Sequence, residues 1–444
     1  MSRVVVRSDN PNSFVTGNAF SVDEPAETVM AKGMAGDSLG HRNLCEEDGA
    51  SAAPNHRDGK PEYRVPLVSE IAGLPWNGFT VASLFAGCGG SSLGYRMAGF
   101  RVAWANEFVP IAQESYRANM AERTVLDGRD VRIVSSGDVL AACGVAEGDL
   151  DVLDGSPPCQ AFSMAGKRHR GWGEERRYEH GAEQRNEDMF AEYVRLLRGI
   201  MPRSFVAENV SGLVKGVAKG YFLDILAALK GCGYRVEARV LDAQWLGVPQ
   251  VRKRIIFVGV RDDLGLDPVF PKPLSYRYSI RDAIPWIDSC ESGKTGFGAG
   301  SLMACEPAPT VSASGQAPYS GHAVTRVVDN RGGSHFKRRI IDTREPMNTI
   351  LSGAGKRDET IMIARHDEKR KFTIDELRRL CGFPDDFELR GSYAQQWERL
   401  GNSVPPPMMF MISAALRDGV LLPARAAART ASPAERSRRR SRSG

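Results

Sequence analysis

"FTVASLFAGCGGSSLGYRMAGFRVAWANE", residues 79–107, decides the fold. FTVASLF is an apolar strand, GCGG a turn, SSLGYRMAG an amphipathic helix and RVAWAN a second apolar strand. Strand, glycine turn, helix and strand make a βαβ unit. Glycines between a strand and a helix let the backbone approach a ligand closely. The turn has no G-K-[ST] ending, so it is not built to cradle a triphosphate. It reads GCGGSSLG and not G-x-G-x-x-G, which argues against a dinucleotide oxidoreductase.

Downstream the alternation continues with the helix VPIAQESYRANM, the short strand VRIV (131–134) and the strand DLDVLDG (149–155). After a long charged segment come the helix EDMFAEYVRLLRGI, the strand RSFVAENV, the helix GYFLDILAALKGCG and the strands YRVEARVLDA and KRIIFVGV. This predicts a doubly wound α/β domain over residues 77–262, its mostly parallel sheet covered on both faces. Residues 263–370, rich in Gly, Pro, Ser and Thr with short β-like runs, predict a smaller irregular β-rich domain. Helical signals return over 371–419, at TIDELRRLCGF, where Thr373 and Glu376 have capping-box spacing, and at PPPMMFMISAALRDG. Residues 1–76 read as a partly disordered extension. Three stretches repeat E-P-x-x-T-[VI], at 24–29, 306–311 and 345–350. They predict a turn leading into a strand. A sharper expectation is that the N-terminal copy packs beside the irregular domain.

The net charge of +5 is a property of the tail. Residues 420–444 carry seven Arg against Glu435, or +6, so the rest of the chain sums to −1. The tail predicts a disordered basic arm, either holding phosphates or simply solvated. No apolar run approaches the length of a bilayer span, and MSRVVVRSDNPNSF lacks the core of a signal peptide, which points to the cytoplasm. The eight cysteines (45, 88, 143, 159, 232, 290, 305, 381) include no C-x-x-C pair, so free thiols and no metal site are expected.

Chemistry-bearing residues fall at strand ends. Glu107 ends the second strand, where nucleotide-binding α/β folds place the acid that grips ribose hydroxyls, and Asp138 in SGDV follows the third. With the glycine turn, the two acids suggest an adenosine-containing cofactor. In DGSPPCQAFS (154–163), two prolines stiffen the approach to Cys159. By itself this is either a reactive thiol or a small residue in a proline turn. Glu208 in AENV ends the next strand, and Gln250, Arg252 and Arg254 alternate along VPQVRKRIIF, so they share a face. Topology thus predicts a thiol, a carboxylate and two guanidinium groups at one sheet edge.

In kind and order these motifs resemble those of the DNA (cytosine-5)-methyltransferases. FAGCGG resembles the family's first motif, SPPCQAFS its Pro-Cys motif, ENV its glutamate motif and QVRKR its Q-x-R-x-R motif. ELRRLCGFP and RLGNSVPPP resemble its two late motifs. The resemblance covers residues 79–262 and 371–417. It implies a Rossmann-like S-adenosyl-L-methionine-dependent methyltransferase fold, with residues 263–370 as target-recognition domain. It implies Cys159 as nucleophile at C6 of a flipped cytosine, Glu208 at N3, and Arg252 and Arg254 stabilising the polarised base. S-adenosyl-L-methionine would lie against Phe85, Gly87, Glu107, Asp138, Pro158, Met189, Asn402 and Ser403. The partner is double-stranded DNA, with DNRGGSHFKRR (329–339) either reading base edges or facing phosphates, and the segment Met164–Asn186 closing over it. A monomer is expected, with a cognate restriction endonuclease as a possible companion. The competing readings are an RNA cytosine-5 methyltransferase of the same fold and a catalytically inactive DNA-binding regulator.

Overall fold

The structure, a computed structural model, describes residues 60–120, 123–158, 189–214, 218–288, 339–350, 352, 361–365 and 368–430. Short strand pieces at 3–5, 19–21, 176–177, 183–184, 290–291, 301–302 and 326–329 complete it. Seven strands form the main sheet: β1 (Thr80–Leu84), β2 (Arg101–Asn106), β3 (Val125–Asp127), β4 (Val152–Gly155), β5 (Ser204–Val210), β6 (Tyr234–Asp242) and β7 (Lys253–Arg261). Their spatial order is 6-7-5-4-1-2-3. β1 to β5 run parallel, and β7 enters antiparallel between β5 and β6.

The order reverses between β1 and β4, where Leu84 pairs with Gly155. At such a switch point the two outgoing connections leave on opposite faces and open a crevice at the strands' carboxyl ends. The glycine turn after β1 and the proline loop after β4 both issue there.

Side chains of a strand alternate between faces, and here each face has its own core. Ala82, Leu84, Leu153, Phe205 and Phe257 pack under α3 (Ser136–Cys143), α4 (Met189–Ile200) and α5 (Ala218–Lys230). Val81, Val152, Val206, Ile256 and Val258 pack on the other side, under α1 (Gly90–Met97) and α8 (Pro406–Leu416). A Cβ on Gly94 would sit 2.6 Å from both the Met409 Cβ and the Pro406 carbonyl oxygen, so this glycine lets α1 and α8 touch backbone to backbone. The helical stretch Tyr393–Thr430 is long and apolar enough to cross a membrane by composition. Its residues Met408, Met409, Ile412 and Leu416 are buried in this core.

A third core joins the β-rich lobe to the returning chain and to Tyr116 and Met120 of α2 (Pro110–Met120). Tyr278, Ile280, Ile341, Met347 and Ile363 pack with Phe372, Leu377 and Leu380 of the segment containing α6 (Ile374–Leu380), whose Thr373 cap forms the expected capping box. The lobe carries a four-stranded antiparallel sheet in the spatial order Arg339–Asp342, Arg326–Asp329, Ile361–Arg365 and Glu368–Lys371. The 345–350 repeat is a turn into a strand: Met347–Asn348 pairs in parallel with Gln250–Val251. The copies at 24–29 and 306–311 lie outside the described residues.

Several expectations need correction. VRIV is no strand: Val131–Ile133 is a 3-10 turn capped by the Asp130 carboxylate, which accepts from the Arg132 N–H, and the edge strand lies earlier at Val125–Asp127. Residues 60–76 belong to the folded body, with Tyr63 and Ile71 in the third core and Lys60 paired to Asp282 at 2.6 Å. The tail is not wholly disordered. Val420 and Leu421 are buried, α9 (Leu422–Thr430) follows, and the Arg425 guanidinium stacks 3.6 Å from the centre of the Phe79 ring. Alternating small and basic residues concealed an amphipathic helix.

Candidate active site

The turn after β1 is strained by design. Phe85 has φ +55, a left-handed conformation that costs a non-glycine residue on the order of 1–3 kcal/mol and persists where its surroundings enforce it. Gly87 has φ +58, and a Cβ there would meet nothing within 4 Å, so the turn faces open space. Glu107, buried at the end of β2, braces it: Oε2 accepts from the Gly87 N–H at 2.8 Å and Oε1 from the Val109 N–H at 2.7 Å. Burial pushes its carboxyl pKa up, while the backbone N–H of Val109 and the charge of Arg399 pull it down.

Asp138 is the third residue of α3. Its Oδ2 accepts from the backbone N–H and hydroxyl of Ser135, both at 2.9 Å, and the Ser135 N–H lowers its pKa. Arg129 Nη2 lies 3.5 Å from Oδ2, and Oδ1 has no hydrogen-bond donor among the described residues. α7 (Tyr393–Asn402) ends at the second half of the site. Asn402 is exposed and Ser403 half-buried. Gly90 brings them in, since a Cβ there would collide with the Val404 carbonyl oxygen.

At the switch point Ser156 donates its N–H to the Leu84 carbonyl at 3.4 Å, and Asn209 Nδ2 donates to the Pro157 carbonyl at 3.3 Å. Pro158 is half-buried. Cys159 and the segment Met164–Asn186, apart from the backbone of 176–177 and 183–184, lie outside the described residues. One strand over, Arg254 Nε meets Glu208 Oε1 at 2.8 Å, both side chains nearly buried. Burial lowers the Arg254 pKa, and Glu208 opposes that shift.

The two arginines feel each other's charge but differ in their hydrogen-bond partners. Arg252 sends Nη2 to the Ser403 carbonyl at 2.6 Å and Nη1 to those of Gly401 at 3.0 Å and Ile350 at 3.4 Å. It is fully buried and ties the 401–403 turn and the β-rich lobe to the sheet. Arg252 is therefore a strut whose hydrogen bonds go to backbone, because it precedes β7 while Arg254 lies within it. Gln250 is likewise enclosed, between Leu380 and Ile350. Met189 opens α4 and is enclosed in the core at 0% exposure. Sequence reasoning missed Asn209, whose adjacency to Glu208 was the only signal, and the buried Asp154.

The model of the C-5 cytosine-specific DNA methylase family matches residues 79–418, from the strand that opens the sheet to the end of α8. The chain belongs to this family. It is 31% identical over 345 residues to the type II methyltransferase M.NgoFVII of Neisseria gonorrhoeae, covering 73% of this chain and 83% of that protein. With M1.HphI of Haemophilus parahaemolyticus it shares 29% over 343 residues, 77% of this chain and 86% of the relative. Among solved structures, a protein described as a DNA modification methyltransferase encoded within an E. coli prophage superposes with a TM-score of 0.53. It is 21% identical and covers 78% of this chain and all of that one, a likeness of fold. As a family member the protein is a DNA cytosine-5 methyltransferase, and every candidate site residue lies within the matched span.

Proposed function

We propose that the protein transfers a methyl group from S-adenosyl-L-methionine to C5 of a cytosine flipped out of duplex DNA, through a covalent adduct on Cys159. The observation that carries this reading is the buried Glu208–Arg254 pair, one strand from a proline loop held by Asn209. Cytosine C5 is a weak nucleophile, and adding a thiolate at C6 converts the ring to an enamine in which C5 is electron-rich. Cys159 forms the C6–S bond while Glu208 delivers a proton to N3, and Arg254 fixes the carboxyl group for that transfer. Once C5 carries the methyl group, loss of the C5 proton to solvent re-forms the C5–C6 double bond, expels the Cys159 thiolate and lets N3 return its proton to Glu208.

The crevice suits the cofactor. The open face at Gly87, the spare lone pairs of Glu107 and the Oδ1 of Asp138 offer a cradle and acceptors for hydroxyl and amino groups. Phe85, Pro158, Asn402 and Ser403 would line the remainder; Met189 would act from beneath, as core. When bound, S-adenosyl-L-methionine supplies an electrophilic methyl group. The β-rich lobe would read the target sequence, and such an enzyme works on DNA in the cytoplasm. The test is transfer of labelled methyl groups to duplex DNA, with bisulfite sequencing to read the site. Cys159→Ser should abolish labelling, and equal labelling by that variant would overturn the mechanism.

A further inference from the structure

Asp154, five residues before Cys159, is 2% exposed at the crevice. Its Oδ2 accepts from the Ser83 hydroxyl at 2.8 Å and the Ser91 hydroxyl at 2.7 Å. Ser83 lies in β1 and Ser91 in the first turn of α1, so the two serines bracket the turn 85–89. One carboxylate on β4 thus clamps both ends of the turn that would hold the cofactor. On its other side, Gly155 pairs with Leu84, and the Ser156 N–H and Pro157 carbonyl are held in turn.

An acid is an expensive choice here. Val152 and Leu153, its neighbours on β4, are apolar and fully buried, so packing alone does not call for a charge. Burial raises the Asp154 carboxyl to about 6, with Glu208 adding to the rise and the two serine hydroxyls opposing it.

We propose that Asp154 is a positioning residue that locks the cofactor turn to β4, the strand from which the chain runs on to Cys159, so that methyl-donor binding and catalysis depend on one buried clamp. The proposal rests on the methyltransfer reading above, and it names a function for a residue that touches neither cofactor nor base.

The test compares Asp154→Ala and Asp154→Asn in the full chain. It measures donor KM, kcat, DNA affinity and calorimetric binding of S-adenosylhomocysteine. Removing the acceptor with Ala should raise donor KM and lower kcat, each at least tenfold, with DNA affinity within twofold. Asn, whose carbonyl oxygen can still accept both hydroxyls, should recover both constants to within threefold. If Asp154→Ala does not fold, the Ser83→Ala/Ser91→Ala pair should show the same split at threefold or more. Donor KM and kcat within twofold of wild type in the Ala or double-serine variant would overturn the proposal. So would an Asn variant no better than Ala. Should the wild type transfer no methyl group, the functional reading falls, and S-adenosylhomocysteine binding then decides the clamp: tenfold weaker binding in Ala supports it and unchanged binding ends it.

Discussion

The two edges of the main sheet handle charge in opposite ways. At the amino-terminal edge of the parallel strands, the polar groups close on one another and on backbone. Arg203 bridges Asp149 and Asp151, Arg261 pairs with Asp263 and donates to the Gly148 carbonyl at 2.9 Å, and Arg425 donates to the Gly78 carbonyl at 2.6 Å. At the carboxyl edge, Glu107, Asp154, Glu208, Asn209 and Arg252 are all buried, and acceptor or donor capacity remains unspent, as at Arg252 Nε. One edge is sewn shut for stability, and the other is held open at an energetic cost, which is where chemistry belongs.

That contrast is broken most forcefully by Arg254→Ala. Leaving Glu208 buried without its partner should lower methyl transfer by roughly 10²–10⁴-fold, as for loss of a positioned acid, read by labelled-methyl incorporation. Next comes Arg252→Met, which removes a charged donor from three carbonyls. It should cost about 3 kcal/mol in denaturant unfolding and raise donor KM, because the 401–403 turn loses its anchor.

Asp154 sharpens the comparison through pH. Its folded pKa of about 6 lies above the ordinary 3.8. Its contribution to stability is therefore full below about pH 4 and is lost as pH rises through 6, by at most about 3 kcal/mol. Asp154→Asn should accordingly gain on wild type between pH 4 and 7 in thermal unfolding. The titratable groups facing it are Glu208 and the buried phenols of Tyr95 and Tyr193. Glu208 is the other carboxyl group among these and acts directly on Asp154, so Glu208→Gln is the control. The smallest effect belongs to the closed edge. Arg425→Ala, which removes the stack on Phe79 and the Gly78 bond, should cost about 1–2 kcal/mol and leave methyl transfer unchanged.

How much was legible follows the range of each interaction. The βαβ unit, the glycine turn and Glu107 were readable because a strand, its turn and the next helix are settled by contiguous residues. Asp138 was found as an acid following the third strand, but its place as the third residue of a helix capped by Ser135 was not seen. Pairing Arg252 with Arg254 followed from strand alternation, which is a local rule. The strand is interrupted at Arg252 itself, with Val251 pairing to Asn348 and Lys253 to Asp242, yet Arg252 still feels the charges of Arg254 and Glu208.

Residues 60–76 and 420–430 were underrated for a related reason. Their order comes from partners far away in the chain: Tyr63 donates its hydroxyl to the Arg379 carbonyl at 2.8 Å, and Arg425 covers Phe79. Hydrophobic period and turn chemistry were enough to determine, from the sequence by itself, the α/β class, the glycine turn and the acids at the strand ends. Only the tertiary structure decided that β1 and β4 are neighbours, that β7 runs antiparallel beside β5, and that Asp154 reaches Ser83 and Ser91. Strand order is set by burial of both sheet faces against helices distant in sequence, and no local pattern encodes which strands will meet.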